Sequence, residues 1–199
     1  MVDKPLKGRV ALVTGAYQNL GVVTAAKLAE FGADIIINDL DIPELEGHKE
    51  KALNDLRSLG IRAEAISADL SKSNEISEMC EKAIRDFGKV DILVNNAGPF
   101  NMQPYLELEE KTWDLIMDVN LKAIYLITKA LAPQMKLNGW GRIISMSAGS
   151  AYVRNHNVYT LAKLSIQVLT ESLALELGPE ITVNAIAPGQ IYESLPEIA

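Results

Sequence analysis

Short apolar runs alternate with longer stretches of helical spacing along the chain. Arg9–Val13, Asp34–Asn38, Ile61–Ile66, Asp91–Val94, Ile143–Met146 and Ile181–Ala185 are short, rich in β-branched residues and bounded mostly by Gly or Asp. Such segments predict buried strands. Leu20–Phe31, Glu44–Leu59, Asn74–Phe87, Lys111–Met135 and Val158–Leu177 lie between them and are long enough for several helical turns each. In Asn74–Phe87 the apolar residues Ile76, Met79, Ala83 and Ile84 recur at three- and four-residue steps, after Ser71 and Ser73 as candidate N-caps. Gly32, Gly60 and Gly88 each fall just past a predicted helix, where a left-handed cap residue is favoured. Alternation of buried strands with helices predicts an α/β fold, a doubly wound parallel sheet with helices on both faces. No linker or repeat divides the chain, so residues 1–199 read as one domain.

Composition narrows the classes of function. The chain is 48% hydrophobic and 23% charged, ordinary for a globular protein. A net charge of −7 disfavours nucleic acid, whose phosphates call for clustered Lys and Arg. No apolar run reaches the ~18–20 residues that span a bilayer, and no apolar signal region opens the chain. The single cysteine, Cys80, falls in an amphipathic helical stretch and reads as a buried, inert thiol. A protein of the reducing cytoplasm, without membrane or metal, is expected.

Chemistry first enters at the turn after the first strand, Thr14-Gly15-Ala16-Tyr17-Gln18-Asn19-Leu20-Gly21. The following helix offers unpaired N–H groups and a positive dipole end, and glycine lets a phosphate approach the backbone. A strict G-x-G-x-x-G pattern is not met, nor is a P-loop. Asp39 ends the next strand 24 residues after Gly15, near the ~20-residue offset of a carboxylate that accepts from an adenosine ribose. That charge repels a 2′-phosphate, and Gln18, Asn38 and Leu40 bring no positive charge. NAD is therefore expected in preference to NADP.

Downstream lie Asn95-Asn96-Ala97-Gly98, Asn120, Tyr159-x-x-x-Lys163 and Pro188-Gly189. With Thr14–Gly21 and Asp69 these segments resemble the short-chain dehydrogenase/reductase family, in its order and spacing over essentially the whole chain. The resemblance implies a Rossmann-type sheet and assigns roles. Thr14, Gly15, Gln18, Asn19, Leu20 and Gly21 would hold the pyrophosphate and Asp39 the adenine ribose. Asp69, with Leu70, would meet the adenine, and Asn96, Ala97 and Gly98 would line the cofactor floor. Pro188, Gly189 and Ile191 would flank the nicotinamide. Tyr159 and Lys163, four residues apart on one helix face, would exchange the substrate proton and hold the nicotinamide ribose. A neighbouring ammonium is expected to lower the tyrosine pKa from about 10. Asn120 would hold a water in a relay to Lys163.

The chain departs from the pattern in three places. Ala148 stands where family members commonly carry the substrate-polarising serine; Ser147, twelve residues before Tyr159, is the expected substitute and Ser150 the alternative. Asn19 replaces the middle glycine of the turn. The sequence stops ten residues after Gly189, so the C-terminal part of the sheet is expected to be truncated; a fragment, the ordered part of a longer chain and a natural short form all remain open.

The expected activity is NAD-dependent interconversion of an alcohol and a ketone, with a small carbonyl or alcohol as partner. A dinucleotide-binding sensor without turnover is the rival, and a dehydratase or epimerase on the same cofactor a third possibility. Substrate-shaping residues are expected in Pro99–Tyr105, Ala151–Val158 and from Gln190 onward. Phe100, Met102, Tyr152 and Ile191 suggest apolar walls, with Arg154 and His156 as possible partners of an acidic group. Lys111–Met135 and Val158–Leu177 are apolar on more than one side, which predicts burial all round; the family resemblance implies that these two helices pair across a twofold axis, giving a homodimer or homotetramer.

Overall fold

Each predicted strand forms, and alternate residues of each feed opposite sides of one sheet. A computed structural model describes residues 4–149, 157–189 and 191. Its strands are β1 (Val10–Thr14), β2 (Asp34–Asn38), β3 (Ala63–Ala65), β4 (Ile92–Asn95), β5 (Gly141–Met146) and β6 (Ile181–Ile186). They pair in the order β3-β2-β1-β4-β5-β6, every pair parallel. Ala11 and Val13 of β1 pack on one side with Ile35, Ile37, Ile92 and Val94. Val10 and Leu12 pack on the other with Ile36, Leu93 and Ile143. Burial on both faces explains why these strands carry continuous apolar runs.

The helices α1 (Asn19–Glu30) and α2 (Pro43–Ser58) cover the first face. The second is covered by α3 (Ser73–Phe87), α5 (Ala123–Leu137) and the end of α6 (Val158–Leu177). The short α4 (Glu110–Met117) packs against α6 through Ile116, Val158 and Ala162. The strand order reverses beside β1, which has β2 on one side and β4 on the other. At such a point the loops leaving adjacent carboxyl ends diverge and open a crevice.

Two local expectations are corrected. The stretch expected as one helix over Lys111–Met135 is α4, a π-helical segment at Asp118–Lys122, and α5. The Asn120 amide donates to the Ile116 carbonyl at 3.0 Å, competing for the acceptor of the α-helical bond from residue 120; this suits a local widening of the helix. Neither Ser71 nor Ser73 caps α3: Lys72 holds the N-cap position, and the Ser71 hydroxyl donates to Asp69. Gly32, Gly60 and Gly88 all end helices in left-handed geometry as expected (φ 96°, 76° and 79°), Gly88 at the C-cap of α3 and the other two one residue past the C-caps Phe31 and Leu59. Cys80 lies on the buried face of α3 as expected, its thiol pushed up to about 12 by burial.

At the amino ends of the strands, the buried Asp91 accepts from the Val10 N–H at 2.9 Å and pairs with Arg9 and Lys89. This anchor lies at the end of the sheet opposite the crevice. Among the described residues no helix is long and apolar enough to cross a membrane.

Candidate active site

The turn from β1 into α1 is built by close backbone approach. Gly15 is left-handed (φ 61°), and a Cβ there would sit 2.8 Å from the Ala97 Cα. A Cβ on Gly21 would stand 2.0 Å from the Gly15 carbonyl oxygen, so the first turn of α1 rests directly on the loop. Asn19, in place of a glycine, is left-handed too (φ 52°), and is the one non-glycine residue with positive φ among those described. Asparagine tolerates that geometry better than most residues. Behind the turn, the Thr14 hydroxyl accepts from the Asn96 and Ala97 N–H groups at 3.0 and 3.1 Å. The Asn96 amide donates to the carbonyls of Thr14 and Gly15 at 3.0 and 2.9 Å. Thr14 and Gly21 thus support the cleft from behind its walls. Gln18 at the N-cap makes no capping bond and the first turn of α1 holds no acidic residue, which leaves that helix end suited to an anion.

Asp39 follows β2 and accepts from the N–H groups of Leu40 (3.0 Å) and Tyr17 (3.4 Å). Burial raises its pKa and these two hydrogen bonds oppose the rise. Asp69 is committed locally: one carboxylate oxygen accepts from the Ser71 N–H and hydroxyl at 2.9 and 2.7 Å. Burial pushes its pKa up, but these bonds and Lys72 outweigh it and leave it lowered. Asn38, which in the sequence is only an uncharged neighbour of Asp39, has a larger place in the structure. It is fully buried at the cleft wall, its amide donates to Ile66 and Ala68, and its Oδ1 has no protein partner. A polar residue closing an apolar strand is the signal that could have found it.

The other end of the cleft belongs to α6. Asn157 caps this helix by accepting from the Thr160 N–H at 2.8 Å. Tyr159 and Lys163 share the face toward the cleft, with the Lys163 Nζ 5.4 Å from the tyrosine ring centroid. That ammonium is buried and donates to the Met146 carbonyl at 2.7 Å; burial lowers its pKa to about 8. Burial also raises the Tyr159 pKa. The expected lowering by the lysine is therefore not seen: desolvation of the phenol dominates, and the ammonium faces a β5 carbonyl instead. Asn120 is fully buried in the π-helical segment, donates to Pro99 and Ile116, and leaves its Oδ1 without a partner. A Cβ on Gly98 would approach this oxygen to within 2.4 Å and Lys163 Nζ to 3.0 Å, so glycine lets both groups converge there.

The Ser147 hydroxyl is bonded to protein. This serine borders the cleft, and its buried hydroxyl donates to the Lys163 carbonyl at 2.8 Å, tying the end of β5 to α6. Ala148 beside it brings no hydroxyl. Ser150, Tyr152, Arg154, His156 and Gln190 lie outside the described residues.

One open cleft of about 1230 Å³ joins the two ends. Gly15, Gln18, Asn19 and Leu20 border it from the first turn, and Asp39, Asp69 and Leu70 from the β2 and β3 ends. Asn96, Ala97 and Gly98 form its floor, with Tyr159, Lys163, Pro188, Gly189 and Ile191 at the far end. Phe100, Leu115 and Val119 also line it; for the last two the sequence pattern suggests only helix pairing. No group of three or more potential metal-ligating His, Cys, Asp or Glu occurs among the described residues.

A parallel sheet with a cleft at its switch point, a glycine turn at one end and a Tyr-x-x-x-Lys helix at the other defines a dinucleotide-type α/β protein. Residues 9–195 match the short chain dehydrogenase family, and the chain belongs to that family of NAD(P)-linked oxidoreductases. The (2S)-[(R)-hydroxy(phenyl)methyl]succinyl-CoA dehydrogenase subunit BbsD of Thauera aromatica is 36% identical over 199 residues, covering 96% of this chain and 78% of that one. A blue fluorescent protein from a metagenomic library, solved in complex with NADPH, is 31% identical with a TM-score of 0.89, over 96% of this chain and 77% of its own. NAD+-bound xylitol dehydrogenase is 33% identical with a TM-score of 0.85, over 94% and 72%.

Proposed function

We propose that this chain interconverts an alcohol and a ketone with NAD(H), using Tyr159 as the proton donor and acceptor. The observation that carries this reading is the position of Tyr159 and Lys163 on one face of α6, at the end of a cleft that begins at the β1–α1 turn. The residues present fit a dinucleotide. The uncapped end of α1 suits a pyrophosphate, Asp39 an adenosine ribose, and the unpartnered Asn38 Oδ1 gives that end a buried acceptor. Asp69 and Leu70 would border the adenine, and Asn96 to Gly98, Pro188, Gly189 and Ile191 the nicotinamide half. Bound there, the nicotinamide supplies the carbon that gives or takes the hydride.

With its pKa raised, Tyr159 is protonated at neutral pH and suited to donate its proton to a carbonyl oxygen. In the reverse direction it must lose that proton, and Lys163 is the nearby group that favours the phenolate once its ammonium turns from the Met146 carbonyl. Asn120 Oδ1 and Lys163 Nζ converge on Gly98, an arrangement that would hold a water supplying protons to Lys163. Ser147 would have to give up its bond to the Lys163 carbonyl before it could polarise a substrate. We therefore assign it a tie between β5 and α6, with Tyr159 as the main hydroxyl facing the substrate oxygen among the described residues.

NAD is preferred over NADP because the Asp39 carboxylate would meet a 2′-phosphate; solved relatives bind either NADPH or NAD+. A pair of chains, or two pairs, would associate through α5 and α6, and a reducing compartment such as the cytoplasm suits the buried Cys80 thiol.

Titration with NADH and NADPH, followed by assays with simple ketones and alcohols, tests the reading. NADH is expected to bind more tightly, and Tyr159→Phe to lower kcat by roughly 10²–10⁴ while NADH affinity persists. Equal turnover by wild type and Tyr159→Phe would remove the proton-transfer role. NADH binding without turnover would favour a sensor, the reading that Ala148 and the committed Ser147 hydroxyl also suit.

A further inference from the structure

The substrate end of the cleft has a chemistry of its own. Among the described residues, Pro99, Phe100, Leu115, Val119, Ala148 and Ile191 give the substrate end apolar walls, with Ser147 beside them, its hydroxyl bonded to the Lys163 carbonyl. Phe100 sets its ring edge-to-face against Tyr159, with centroids 4.8 Å apart and planes at 79°, yet remains 62% exposed. Leu115 beside it is 44% exposed. Two such side chains facing water at the wall of a cleft gain by being covered by an apolar ligand. The apolar surface continues outward along the same loop through Met102, Tyr105 and Leu106, all exposed.

Charge is placed elsewhere. Among the described residues the charged groups lining the cleft are Asp39, Asp69 and Lys163. The two carboxylates stand at the β2 and β3 ends, across the sheet from α6. The Lys163 ammonium is buried and bonded to the Met146 carbonyl.

Resting on the reading of Tyr159 as the reacting end, we infer that the substrate is a ketone or secondary alcohol bearing an aromatic or bulky apolar group. Phe100 is the residue that selects it. An aromatic substituent meets the exposed Phe100 edge and the Leu115 side chain, while its oxygen reaches the Tyr159 hydroxyl.

Binding of acetophenone and of acetoacetate is measured by ligand-observed NMR, with NADH present, and kcat/KM for acetophenone and acetone is compared in wild type and Phe100→Ala. Acetophenone is expected to bind roughly ten-fold more tightly than acetoacetate, and Phe100→Ala to lose roughly ten-fold more on acetophenone than on acetone. Tighter binding of acetoacetate would overturn the inference. So would equal losses on the two ketones, which would make Phe100 a support for Tyr159 and not a contact for substrate. If the binding order holds but no ketone or alcohol turns over, the apolar site stands and the oxidoreductase reading falls. If acetoacetate is preferred and its turnover is abolished by Tyr159→Phe, the oxidoreductase reading stands and the apolar-substrate inference falls.

Discussion

Lys163 shows how one buried group couples the site to stability. Its ammonium is kept from water in the native state, and its pKa falls from 10.5 to about 8. Between those values the unfolded chain binds more protons than the folded one, so stability rises with pH across that window. The contribution is complete above the unfolded value and is lost as pH falls through the folded one. Relative to Lys163→Met, the wild type should gain up to about 3 kcal/mol between pH 8 and 10.5, read by urea unfolding at matched pH. A flat difference across that range would mean that the ammonium is hydrated in solution. Gly21 is constrained by space instead. Gly21→Ala would place a methyl 2.0 Å from the Gly15 carbonyl oxygen and 2.7 Å from the Asn96 amide. It should cost about 1–3 kcal/mol by overpacking and weaken NADH binding by displacing the turn. Thermal melts and NADH titration check the two effects; unchanged affinity would separate this glycine from the cofactor site.

Elements divide the work between anchoring and chemistry. β1 and β4 are joined at their amino ends by Asp91 and at their carboxyl ends by the Thr14 and Asn96 bonds. Asp91→Ala leaves the Val10 N–H, Arg9 and Lys89 without their shared acceptor and should cost about 3 kcal/mol. Because this anchor is at the far end of the strands, NADH affinity at a permissive temperature should stay unchanged. A chemical melt with a parallel NADH titration tests both halves of that statement. The π-helical segment does the opposite kind of work. It interrupts the helix facing α6, buries Asn120 and turns its amide toward Pro99, placing a polar side chain behind the floor of the cleft.

At the scale of the whole molecule, several apolar side chains on the outer helices remain uncovered. Tyr125 of α5 is 44% exposed, and Val168 and Leu175 of α6 are 67% and 89% exposed. Helices apolar on more than their core-facing side favour association. The proposed pairing through α5 and α6 predicts a dimer or tetramer by size-exclusion chromatography with light scattering at micromolar concentration. Val168→Glu combined with Leu175→Glu should shift it toward monomer. A wild-type monomer at that concentration would refute the pairing.

What the sequence determined by itself is the part of the protein that local pattern encodes. β-branched runs between helical stretches specified six parallel strands, since a strand buried on both faces must be apolar throughout. Four-residue spacing put Tyr159 and Lys163 on one face, and asparagine's tolerance of left-handed backbone made Asn19 compatible with the turn. Tertiary structure alone decided what those side chains meet. The Ser147 hydroxyl goes to the carbonyl of Lys163, Lys163 itself to Met146, and Asn120 to Pro99. Each contact joins residues distant in sequence, and no periodicity specifies which way a hydroxyl or an ammonium points. The direction of the Tyr159 pKa was decided the same way. Helical spacing put a cation close by, but the direction is set by desolvation, which depends on everything packed around the ring.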